Sequence, residues 1–399
     1  MASTRPRTRS QTNGNVGISF PRLEARSSAS KENGLMPSVM VAFKGSVSAL
    51  CGLVFGIAVE KSRVFEPAVV TNQMLFRKFI MMKVFLTSLT VGMFFLSVLS
   101  ILPLTRKKYL LSRAAFIGGL NQKGYFGISV GGFILGSGMA VVGTCPGLVG
   151  IQMGGGVHNS VFALAGVLTG TVLYGVTEPI VTSLTDPTTP IKYHFLYQLM
   201  GSPPFIISFP VFSMLGIVVF SLEMMYPWQY EVAVQASDMV GKPMLAMPCW
   251  HPYICGTLIG CLQVPLVLFL NTTLGGSRCY CTVVSQGIVN NSMKKLSPYL
   301  AKFKKGFANW WQVIFIGGSA LGSYISATAS GQYGNVDGVS PGVAFLGGVM
   351  IIFGARMAGG CTSGHGLSGV GLLNLASMAA VMCMFSGGIV TANLLELMS

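Results

Sequence analysis

The chain has 399 residues, of which 9 % are charged and 51 % hydrophobic, and it contains 51 glycines. Soluble proteins carry about 25 % charged residues, so this composition, with a mean hydropathy of +0.64, excludes an ordinary water-soluble enzyme and predicts an all-α polytopic membrane protein. The net charge of +15 does not indicate nucleic-acid binding, because the basic residues cluster in short segments between apolar stretches, where they set membrane orientation.

Residues 1–36 are polar, rich in Ser, Arg and Asn, and lack an apolar core; they read as a disordered basic tail with no secretory signal. Their Arg/Ser content resembles an organellar transit peptide, but Glu24 and Glu32 argue against one, and the plasma membrane is the expected location. A first unit is expected over 37–224, a linker over 225–248 and a second unit over 249–399. Long apolar stretches fall at about 39–59, 79–103, 160–182, 204–222, 253–271, 311–328, 342–358 and 374–397. Several reach the roughly 20 residues that cross a bilayer. Shorter or glycine-interrupted stretches near 127–143 and 365–373 predict re-entrant helices, which are tolerated at membrane depth only where protein or a water-filled cavity surrounds them. The expectation is eight or nine spans plus short re-entrant helices.

The arginines at 5, 7 and 9, the Arg106-Lys107-Lys108 run and the lysines between 294 and 305 put the N-terminus on the cytoplasmic side. Lys61, Arg63, Arg77, Lys78 and Lys83 dilute that pattern, so the chain re-enters near 60–83 or the rule weakens there. Arg356 stands inside an apolar stretch; intramembrane charge marks function by default, and Glu60 or Glu178 would be its structural partner. Gln73, Asn121 and Gln122 are candidate pore-lining polar residues.

Two segments carry the chemistry. GGFILGSGMAVVGTCPGLVG (131–150) and GGVMIIFGARMAGGCTSGHG (347–366) each begin with a Gly-Gly pair and place a cysteine fourteen residues later, at Cys145 and Cys361. Gly131, Gly132, Gly143 and Gly150 fall on Gly347, Gly348, Gly359 and Gly366 at one constant offset. LCGLVFGIA (50–58) and ICGTLIGCL (254–262) form a weaker upstream repeat. Internal repeats with interrupted apolar segments at matching places point to a transport site. Gly143, Gly147, Gly359 and Gly360 allow close backbone approach, Pro146 suits the first turn of a new helix, and Thr362 and Ser363 supply helix caps. Each thiol would then lie near exposed N–H groups at a positive helix end, an environment that attracts anions. His365, four residues after Cys361, would face the substrate or be satisfied by backbone; His158 is a weaker counterpart.

The remaining cysteines read as small buried hydrophobes. Cys279 and Cys281 make only a close pair, and Cys249 with His251 lacks a second ligand pair at zinc-like spacing. No metal and no cofactor are expected.

Both cysteine motifs, especially GGCTSGHG, resemble those of the YeeE/YedE family of sulfur-compound transporters. CGLVFGIAVEKSRVFEP, with VTNQMLFRKFIMMKVFLTS after it, resembles that family's first segment. The likeness covers about 45–182 and 252–397. It implies a helical membrane protein with pseudo-twofold halves, uptake of a small sulfur anion such as thiosulfate, cysteines that hold the ion through S–H···S contacts, and a sulfur-carrier protein as a candidate partner. The family's fuller transporters carry an Arg-Phe-Cys-like sequence where this chain has SRVF (62–65), so Phe65 stands at the position of a third thiol. A different class, a membrane sulfurtransferase or thiol redox enzyme using Cys361, lacks an accompanying base, cofactor loop or CxxC motif.

Overall fold

The structure is a computed structural model that describes residues 36–120, 123–185, 194–232, 241–288, 297–304 and 306–398. The tail, Asn121, Gln122, Lys294, Lys295 and Lys305 lie outside the described residues. Val41–Ser399 forms one compact unit, distinct from Met1–Met40.

The described residues are helical, without a strand. The principal elements are α1 (Met36–Lys61), α2 (Pro67–Met74), α3 (Ile80–Ile101), α4 (Pro103–Gly118), α5 (Tyr125–Val142), α6 (Val149–Gly154), α7 (Ser160–Thr185) and α8 (Pro204–Met225). The second half continues with α9 (Pro252–Cys261), α10 (Arg278–Ile288), α11 (Phe307–Ala329), α12 (Pro341–Ala358) and α13 (Leu375–Met398). Eight helices have the length and apolarity to cross a membrane: α1, α3, α5, α7, α8, α9 with its extension to Leu270, α12 and α13. The protein is therefore an integral, multi-pass membrane protein.

Two elements differ from the sequence expectation. The 127–143 stretch forms the unbroken 18-residue helix α5; its glycines serve helix packing, because small residues let backbones approach closely in a bilayer. The 311–328 stretch forms α11 but is not among the eight. Gln312, Ser319, Ser323 and Ser326 are buried along it, so its polar groups turn towards protein.

The helix crossings carry the pseudo-symmetry. A Cβ on Gly131 would fall 2.4 Å from the Ala358 nitrogen, and one on Gly347 would fall 2.5 Å from Val142. Gly138 meets Ile351 just as Gly354 meets Leu135. Under the sequence offset these contacts are images of each other, so α5 and α12 cross antiparallel about an approximate twofold. The upstream repeat behaves alike: Gly52 and Gly56 of α1 lie against Phe315 and Ser319 of α11, while Gly256 and Gly260 of α9 lie against Val84 and Ser88 of α3.

The charges at 60–83 are not simply solvated. Glu60 and Lys61 pair at 3.3 Å with both side chains fully buried, and Lys83 pairs with Glu223 at 3.1 Å and Glu231 at 2.9 Å. Glu231 lies in the segment between α8 and α9, which this pair ties to α3.

Candidate functional site

Two helix breaks build the site. α5 ends at Gly143 and α12 at Gly359, both with left-handed φ (+64° and +84°). A residue with a Cβ strains in that region, so glycine ends each helix cleanly and releases the cysteine segment as a loop. After Cys361 the chain forms a π-helical turn, Ser363–Gly369; after Cys145 it forms the short helix α6.

The loops converge. Thr362, the residue after Cys361, faces Cys145 and donates its hydroxyl to Met139 Sδ at 3.4 Å. A Cβ on Gly147 would lie 3.8 Å from Ser363 Oγ and 3.9 Å from Cys145 Sγ. The structure thus brings together Cys145, Cys361, Gly147, Thr362 and Ser363, with Gly360 packed against the His365 ring.

A third segment of the site was missed by sequence reading. The loop 271–277, NTTLGGS, packs Gly276 against Gly147 and Gly275 against Gly364. Gln263 holds it through the Leu274 N–H, and Gln312 holds the Arg278 N–H at 3.0 Å. The Gly-Gly pair before the RCYC helix was the available signal.

Both cysteines are buried and lie outside the eight spanning helices. Burial alone would raise the Cys361 thiol. The N–H groups of Gly276 and Gly364 and the hydroxyls of Ser363 (Sγ···Oγ 3.3 Å) and Ser277 outweigh it and leave the thiol below its ordinary pKa. Burial pushes the Cys145 thiol up to about 11, although the N–H groups of Gly147 and Leu148 face it. Beside it the Thr144 hydroxyl is buried without a partner among the described residues.

Cys361 lines a cavity walled by α4, the 272–278 loop, Gln312, Arg356 and His365, and an adjoining cavity adds Lys123, Glu178, Tyr299 and Lys302. Cys145 lines neither. Four cations, Lys123, Arg278, Lys302 and Arg356, face one carboxylate, Glu178. Arg356 is 3 % exposed, donates to the Ser277 hydroxyl and lies against Tyr299 and Cys281, yet its Nε has no partner. No carboxylate pairs with it among the described residues: of the two expected partners, Glu60 is taken by Lys61, and Glu178 lines the adjoining cavity without an ion pair to Arg356.

His365 is fully engaged. Its Nε2 lies 3.1 Å from the Ala358 carbonyl, which can only accept, so Nε2 carries the proton and Nδ1 accepts from Ser377 at 3.0 Å. Burial pushes the imidazole down to about 4, which keeps it neutral. His158 sits apart, exposed and 3.4 Å from Asp337.

Phe65 is fully buried beside the first loop. Gln152 Nε2 donates to both its carbonyl (2.8 Å) and that of Gly143 (3.1 Å), and its ring packs against Gly155 and lies 5.5 Å from the Arg63 guanidinium. Gln73 is buried and bonds the Met82 N–H, away from the cysteine loops' hydrogen bonds. Among the described residues no His/Cys/Asp/Glu group could hold a metal.

The thiosulfate transporter TsuA of Escherichia coli (strain K12) is 26 % identical over 254 residues, covering 61 % of this chain and 67 % of that protein. A probable transporter of Xylella fastidiosa (strain 9a5c) is 25 % identical over 145 residues, covering 36 % of this chain and 93 % of that protein. The family described as sulphur transport matches residues 61–390, and with that match, spanning both cysteine loops, the chain belongs to this family of membrane sulfur transporters.

Proposed function

We propose that the protein carries thiosulfate, or a closely related sulfur oxyanion, across the plasma membrane, with Cys361 and Cys145 as successive stations. The observation that carries this reading is Arg356: among the described residues a buried guanidinium with no carboxylate partner and an Nε without one, lining the same cavity as Cys361. A buried unpaired charge is costly, and a dianion in the cavity offsets that cost. The surrounding cations draw the ion in, and the thiol and backbone N–H groups then hold it with modest, graded attraction, as conduction requires sites that bind and release. The terminal sulfur of thiosulfate is soft and polarizable and suits the Cys361 S–H. Gly143, Gly147, Gly359 and Gly360 open the loops, Thr362 links the stations, Ser363 donates to the ion or to Cys361, and neutral His365 props the break. Phe65, beside the Cys145 loop, narrows the entrance to the constriction with an apolar ring.

The units 37–224 and 249–399, joined by 225–248, each supply one station. The Xylella relative, almost wholly covered by 145 residues, is about as long as one unit. A sulfur-carrier protein would take the product on the cytoplasmic side.

The test is uptake of radiolabelled thiosulfate by proteoliposomes containing only this chain. Cys361→Ala and Cys145→Ala should strongly reduce it with membrane abundance unchanged, since losing one hydrogen bond costs about 1 kcal/mol. Cys383→Ala should be silent. Equal transport by all three removes the cysteine stations, and sulfur transfer without accumulation points to the sulfurtransferase reading.

A further inference from the structure

The helix α4 connects two spans, α3 and α5, without being one itself. It starts at Pro103, directly after the apolar end of α3, and so starts at the membrane boundary. Its buried side is Tyr109 and Ser112. Its outward side combines two features. Arg106 and Lys107 are exposed and Lys108 half-buried, and none has a hydrogen-bond or ion-pair partner from its side chain among the described residues. Leu104 is 91 % exposed, and Leu110 and Leu111 are 41 % exposed. Arg113, by contrast, is committed to structure: it donates to Tyr197 Oη at 2.7 Å and stacks over Phe195. A face meant for water has no use for three outward leucines. A face meant only for acyl chains has no use for three unpaired cations. Together they are the two halves of an interfacial helix.

We propose that α4 binds anionic phospholipid headgroups through Arg106, Lys107 and Lys108, with Leu104 and Leu111 seated among the acyl chains below them. The charge complementarity is with the leaflet: basic segments beside a span bind an anionic surface, at roughly fivefold per residue. The far end of α4 makes the site consequential, because Ala115 and Phe116 wall the cavity that reaches Arg356 and Cys361. The lipid contact therefore fixes one wall of that cavity. This inference rests on the membrane fold and not on the identity of the ion.

The test is hydrogen–deuterium exchange of the full chain in lipid nanodiscs of phosphatidylcholine alone or with about one third phosphatidylglycerol. Backbone exchange across 103–114 should slow roughly tenfold or more with the anionic lipid, and the protection should weaken in high salt. Exchange in α5 and α12 should not change. R106Q/K107Q/K108Q should abolish the lipid-dependent protection. Equal exchange of the wild type in both discs overturns the proposal, and that arm needs no variant to fold. Protection that persists in the triple variant overturns the assignment to the basic run. Protection reproduced in phosphatidylcholine discs by soluble glycerophosphoglycerol makes the ligand a free phosphate ester and overturns the lipid reading.

Discussion

Cys145 and Cys361 occupy equivalent places in two copies of one unit, yet their surroundings have diverged. Both follow a helix that a left-handed glycine ends. The Cys361 loop has gathered polar neighbours: two backbone N–H groups, two serine hydroxyls and Arg356 at the end of a basic cavity. The Cys145 loop is packed beside Phe65 and Met139; two backbone N–H groups and the Thr362 hydroxyl face its thiol, but it lines no cavity that holds a cation, and among the described residues the Thr144 hydroxyl beside it has no partner. The same backbone device thus serves a station beside a cationic cavity on one side and a more enclosed station, with fewer donors, on the other. A carrier gains from that difference, because an ion held equally tightly at every station would not move on.

Serine in place of cysteine is the sharpest way to break the comparison. It keeps a hydroxyl donor and removes the soft sulfur. Cys361→Ser should cut thiosulfate uptake by roughly a hundredfold, about 2–3 kcal/mol, and Cys145→Ser by clearly less. Equal losses would mean that the surroundings do not set the stations apart. Arg356→Gln comes next: it leaves a neutral donor and should raise KM for thiosulfate roughly tenfold, an effect of about 1.4 kcal/mol. Labelled uptake over a substrate series checks this, and an unchanged KM would confine Arg356 to packing. Phe65→Cys should raise thiosulfate flux a few-fold by restoring a thiol to the Cys145 side, measured in competition with sulfite, sulfate and sulfide. Identical selectivity and flux in wild type and variant would place position 65 outside the pathway. The smallest effect on transport belongs to His365. Its folded-state pKa is lowered, so folding is insensitive to it above about 6.5. Stability is lost as pH falls from there towards about 4, because only the unfolded chain takes up the proton. Thermal melts from pH 7 to 4.5 should show that decline, and His365→Gln should flatten it with little change in uptake at pH 7.

Much of this was readable in the sequence, for physical reasons. Apolar length marked seven of the eight spans, because the bilayer sets a minimum length. The constant glycine offset marked the twofold, because close helix contacts demand small residues at fixed places, as Gly131 and Gly347 do. The broken glycine-cysteine motifs marked the two loops. The α5 helix was misread because glycines that pack a helix look, in sequence, like glycines that break one. Gln152, Gln263 and Gln312 were invisible, since their worth lies in holding backbone groups of distant loops. That Arg356 pairs with neither Glu60 nor Glu178 among the described residues could not be read either: several cations lie within reach of both, and only the packing shows that Lys61 takes Glu60.

The central claim is that the sulfur anion is held beside Cys361. Thiol labelling with a small charged methanethiosulfonate reagent, followed by peptide mass spectrometry of the purified wild-type protein in membranes, tests it most directly. Cys361 should label faster than Cys145, because it lines the basic cavity and its thiol sits below the ordinary pKa while that of Cys145 is raised to about 11. Thiosulfate should protect Cys361 at concentrations near its KM, and sulfate at the same concentration should protect it far less. Labelling of Cys361 that thiosulfate leaves unchanged, or slows no more than sulfate does, would contradict the account.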